Sequence, residues 1–130
     1  MKRYLLSLVF TLVVASATAG TFNVNTGVLT GTTAVVIGTV PQNCVVYTIT
    51  IANLTANAVT GGVNIGTVAA PTTIESAFAV AASTNYFVSF APTPANSTVL
   101  VAAEPVAIQI AAQTAWNNAN LNVALAYACY

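Results

Sequence analysis

The stretch Cys44-Val45-Val46-Tyr47-Thr48-Ile49-Thr50-Ile51-Ala52 is rich in β-branched and aromatic residues and alternates apolar with hydroxyl side chains. A period of two is that of a half-buried strand, which predicts Val45, Tyr47, Ile49 and Ile51 on one face and Thr48 and Thr50 on the other. Upstream, past a turn at Pro41-Gln42-Asn43, residues 34–40 form a second run. Residues 21–28 form another, with Phe22, Val24 and Val28 opposite Asn23 and Asn25. Downstream, a turn over 57–62 ends in Gly61-Gly62, whose backbone is unrestricted, and residues 63–68 follow as a short strand. Residues 72–82 suit either a helix through Ile74, Phe78 and Ala82 or a strand through Ile74, Ser76, Phe78 and Val80. Their β-rich neighbours favour the strand. Residues 86–90, 98–102 and 106–111 continue the pattern, with Ile108 and Ile110 flanking an outward Gln109. After a connection over 114–120, residues 121–130 close the chain with Val123, Leu125, Tyr127 and Cys129 on one face. Eight or nine short strands with frequent turns predict an all-β fold, an antiparallel sandwich of Ig-like or jelly-roll character.

At the start of the chain, Lys2 and Arg3 precede an apolar run to about Ala15 and the small residues Ala17-Thr18-Ala19. These are the three zones of a secretory signal peptide, 1–19, with cleavage expected after Ala19. The apolar run is short for a bilayer span, and Thr21, Asn23, Asn25 and Gly27 follow it. A type IV pilin helix would continue instead, so no stable membrane anchor is expected after cleavage. The remaining chain divides into an N-terminal strand and hinge, 20–33, and a sandwich domain, 34–130.

The mature region then keeps only Glu75 and Glu104 as charged side chains, and the chain as a whole is 57% hydrophobic and 3% charged. Soluble domains carry roughly a quarter charged residues, and a net charge near zero favours association. The composition also narrows the chemistry. Acid–base catalysis lacks His, Lys and Asp, so no catalytic residues are assigned. Glu75 and Glu104 read as exposed turn or strand-edge charges, since no motif supports a two-carboxylate glycosidase. Metal and other cofactors lack ligands, and nucleic acid lacks the cations that neutralise phosphate. An internal Lys–Asn isopeptide bond has no Lys. Trp116 beside Asn117 and Asn118 reads as a core or interface anchor in preference to a sugar platform.

Cys44 and Cys129 in an exported chain favour a disulfide over two buried thiols. Two sequons, Asn53-Leu54-Thr55 and Asn96-Ser97-Thr98, are candidate N-glycosylation sites that would supply a hydrophilic coat. Residues 21–28 lie before Cys44, outside the covalent loop, and precede a Gly- and Thr-rich hinge at 29–33. Such a strand either forms the first strand of its own sandwich or adds to the open edge of the next copy, in which case head-to-tail addition builds a fibre.

These features together resemble secreted β-sandwich subunits of extracellular filaments assembled by donor-strand complementation, particularly archaeal thread filament proteins and, more loosely, chaperone-usher pilins and biofilm-matrix fibre subunits. The resemblance implies a cell-surface homopolymer joined head to tail, with Phe22, Val24 and Val28 as donor residues and N-linked glycans as partners. The rival readings are a surface-layer or virion coat subunit and a secreted carbohydrate-binding adhesin module.

Overall fold

The computed structural model describes residues 19–89 and 104–129. Eight strands run in order: β1 (Ala19–Val28), β2 (Val35–Val40), β3 (Cys44–Asn53), β4 (Val59–Thr67), β5 (Glu75–Val80), β6 (Asn85–Ser89), β7 (Val106–Ala112) and β8 (Asn120–Cys129). No helix among the described residues is long and apolar enough to cross a membrane. The expected leader, a strand at 98–102 and the Asn96 sequon lie outside the described residues. Within the ambiguous stretch at 72–82, Glu75–Val80 is a strand, as its neighbours suggested.

The strands form two four-stranded sheets, β1-β8-β3-β6 and β2-β7-β4-β5. Each strand pairs antiparallel with its mirror in chain order: first with eighth, second with seventh, third with sixth, fourth with fifth. The pairs β3/β8 and β4/β7 then knit these ribbons into sheets. That is the strand order of a jelly roll. The Ig-like alternative is excluded, because its first two strands would lie side by side, whereas here β1 and β2 belong to different sheets.

The inward faces supply the core. Ile49 and Ile51 of β3 and Leu121, Val123 and Leu125 of β8 meet Val63 and Ile65 of β4 and Ile108 and Ile110 of β7, all essentially without solvent exposure. Each such side chain contributes about 1.5–3 kcal/mol by leaving water. The disulfide joins Cys44 and Cys129, which are register partners across β3 and β8.

Two local irregularities move side chains from where simple alternation places them. A bulge between Val46 and Thr48 inserts an extra residue in β3. Cys44 and Val46 therefore face inward on one side of it and Ile49 and Ile51 on the other, while Tyr47 points out. A one-residue insertion reverses every side chain beyond it. Gly61 and Gly62, at φ 77° and 81°, do not end a turn but form a bulge inside β4. An ideal Cβ on Gly62 would lie 2.6 Å from the Phe78 carbonyl oxygen, so only glycine lets β5 approach there.

Candidate assembly surface

β1 is the edge strand of its sheet and sits on the chain's own β8, with Phe22 opposite Leu125 and Val24 opposite Val123. Phe22 stacks on Tyr127 with ring centroids 5.4 Å apart. It also covers the backbone of Gly38 on β2, in the other sheet. A Cβ on Gly38 would come within 2.5 Å of the Phe22 ring, and one on Gly20 would meet the Tyr127 ring just as closely. Two glycines thus make notches for two aromatic rings, and β1 is seated by shape as well as by main-chain bonds. Gly38→Val is expected to unseat Phe22 and lower stability by about 1–3 kcal/mol. Hydrogen exchange should accelerate first in β1; unchanged protection of Phe22 and Val24 amides would contradict this seat.

Val28 does not share that face. Gly27 at φ 67° and a register shift between Asn25 and Val28 turn Val28 outward, where it is 63% exposed. Of the three candidate donor residues, only Phe22 and Val24 point inward, and both are partly buried against the core.

The hinge at 29–33 is not the loose tether its Gly and Thr content suggested. The Leu29 amide donates to the Ala119 carbonyl at 3.1 Å, and the Trp116 amide donates to the Gly31 carbonyl at 2.8 Å. Trp116 Nε1–H donates to the Thr33 carbonyl at 2.6 Å. Trp116 itself is fully buried. It is a core anchor whose ring is closed to a sugar, which removes the observation on which a carbohydrate-binding module depended.

Asn53, the candidate glycosylation residue, lies inside the fold. Its side chain is 3% exposed, with Nδ2 donating to the carbonyls of Asn57 at 2.7 Å and Ala81 at 2.9 Å. Its Oδ1 accepts from the Thr55 amide and hydroxyl. The amide nitrogen that a glycan would occupy is committed to fixing the β3–β4 connection against the residue that follows β5. Asn53→Ala would remove a partner from groups that are only partly buried, at about 1–3 kcal/mol in total for those that water does not replace. A loss in that range is expected in denaturant unfolding, and mass spectrometry of the secreted protein should find Asn53 unmodified.

Glu75 opens β5 and Glu104 precedes β7. Glu75 is level with Ile65 and hence Ile110, two strands away, while Glu104 lies beyond Val106 at the other end of β7. Ordinary strand rise and spacing separate them by on the order of 15 Å or more, too far for a paired-carboxylate site. A shallow groove of about 340 Å³ beside the Gly61–Gly62 bulge is lined by residues such as Ala58, Ala77, Ala79 and Ala81, with no ionisable or nucleophilic group.

Apart from Glu75 and Glu104, what the described residues present outward is neutral. Across the first sheet, the rows are Asn25–Asn122–Ala52, Asn23–Ala124–Thr50 and Thr21–Ala126–Thr48. Asn25 Nδ2 bonds Asn122 Oδ1 at 2.6 Å along that face. On the second sheet, Val36 lies exposed beside Gln109. Tyr47, Leu54 and Val68 add further exposed apolar surface.

The fold is similar to that of a solved structure. A chain described as belonging to the cyanophage Pam1 capsid asymmetric unit aligns with 88% of this chain and 85% of its own length, at a TM-score of 0.52 and 21% identity. At that identity the likeness is one of fold. No protein-family model matches the chain, and no curated protein matches it.

Proposed function

We propose that this chain is a non-enzymatic structural subunit of an extracellular protein assembly, a coat in which copies cover one another's neutral faces. The observation that carries the reading is the surface. Both sheets turn outward rows of Asn, Thr, Ala and Val, with Glu75 and Glu104 as the charged side chains among the described residues. Such a surface has little electrostatic resistance to self-association and favours interfaces drier than those of a free monomer. The jelly roll supports a coat subunit over a filament subunit, because the eight described strands complete two packed sheets within one chain and the likeness to a capsid chain spans most of both proteins. The disulfide fits an oxidising compartment, consistent with export by the leader.

A second reading, an extracellular filament built by β-strand donation, is favoured by one observation: β1 is an edge strand lying outside the disulfide-closed loop. Negative-stain microscopy of the secreted protein, with sedimentation across a hundredfold range of concentration, separates the readings. Shells or lattices are expected for a coat and threads for a filament. A monomer at every concentration would refute both.

A further inference from the structure

We propose that the unit exchanged between copies is the two-strand arm β1–β2, hinged at Pro41-Gln42-Asn43, and that a second copy of this chain is its acceptor. This deepens the assembly reading and rests on it. The disulfide divides the chain covalently: residues 44–129 form a closed loop holding β3 to β8, and β1 and β2 lie outside it. Without the arm, that loop is two three-stranded sheets, β8-β3-β6 and β7-β4-β5, crosslinked within the first. The arm adds the outermost strand to both, β1 beside β8 and β2 beside β7, on the same side of the sandwich. Departure of the arm therefore opens two neighbouring edges at once, and unpaired edges are templates for another chain.

One contact makes the arm a single piece, and three bonds tie it to the body. Phe22 of β1 sits on Gly38 of β2, so the two strands interlock across the layers. The bonds of residues 29, 31 and 33 run to residues 116 and 119 of the crosslinked body, not to the arm itself. An incoming arm thus finds every one of these partners on its acceptor, and exchange replaces each contact with its identical copy. Strand β1 alone could not leave without tearing Phe22 from Gly38.

The turn at 41–43 supplies the bias. Val40 is paired in one sheet, with Val106, and Cys44 in the other, with Cys129. Four peptide steps reach about 14 Å at full extension, and packed sheets lie about 10 Å apart. Asn43 spends part of that reach on a left-handed backbone at φ 59°, and Pro41 stiffens the rest. Short hinge connections favour an open conformation in which the arm reaches a neighbour.

The test is a crosslink on the exposed Asn25–Asn122 pair, whose side chains touch across β1 and β8. The N25C/N122C protein is secreted, oxidised in its assembled state and run on a denaturing, non-reducing gel, with each single variant giving the collisional background. Exchange shifts most of the chain from monomer to dimer and larger bands. Assemblies that remain visible by microscopy but yield only intrachain-linked monomer overturn the exchange and leave the assembly reading standing. A chain that neither assembles nor crosslinks between copies overturns both. Three glycines inserted after Gln42 should slacken the turn and return the crosslink to the monomer band; a ladder unchanged by that insertion overturns the assignment of the hinge.

Discussion

Replacing Cys44 and Cys129 together by alanine is expected to lower the unfolding free energy by about 4.5 kcal/mol. The bond closes a loop with a sequence separation of 85, and the loop-entropy relation assigns that amount to a loop of this length. Folded domains are stable by only about 5–15 kcal/mol, so the variant should keep a minor part of its stability. Alanine is preferable to serine, because Cys44 is fully buried and a hydroxyl there would add the cost of an unmet polar group. Urea unfolding of oxidised wild type against the double variant measures the difference. A loss under about 1 kcal/mol would mean that the unfolded chain is already compact and gains nothing from the crosslink. The crosslink also ties β3 to β8, the strand on which β1 rests. Hydrogen exchange in β1 should therefore rise with that of the body in the variant.

Trp116→Ala is expected to cost about 3–5 kcal/mol, the range for removing a fully buried large aromatic side chain. Trp116 has no exposed surface and lies where the β1–β2 connection crosses the β7–β8 connection. Its loss leaves a cavity and also strands the Thr33 carbonyl that Nε1–H serves. Trp116→Phe separates the two effects: it keeps most of the volume and should cost about 1–3 kcal/mol for the unmet carbonyl. Because the chain has one tryptophan, its fluorescence reports this site alone, and emission should be blue-shifted and shielded from quenchers in the native protein. A Trp116→Ala protein of near wild-type stability with altered glycan binding would instead place the ring on the surface and revive the sugar-platform reading.

Much of the fold was legible because strand alternation is a local property. The runs containing Phe22 and Val24, Ile108 and Ile110, and Val123 and Leu125 face the core as their spacing predicted. The bulges were not legible. Val45 and Tyr47 pattern with Ile49 and Ile51 in the sequence, and only the extra residue between Val46 and Thr48 separates their faces. Val28 was misplaced for the same reason, through Gly27. Gly61-Gly62 carries the signature of a turn, yet the close approach of β5 makes it an intrastrand bulge. The Asn53 sequon is a local match to a modification signal. Its burial depends on Asn57, Ala81 and Thr55, and contact with Ala81 is set by tertiary structure.

A β protein with an apolar interior, a charge-poor exterior and two cysteines can be read directly from the residues, because hydrophobic period and composition act residue by residue and need no partner. That β1 lies on β8 and β2 on β7, that Trp116 closes over the segment at 29–33, and that a two-strand arm stands outside the crosslinked loop emerges only from the packed molecule. Those pairings join residues from 66 positions (Val40 and Val106) to 109 positions (Ala19 and Ala128) apart. The free energy that selects them comes from which faces fit when the two sheets meet, and no short window of sequence carries that information.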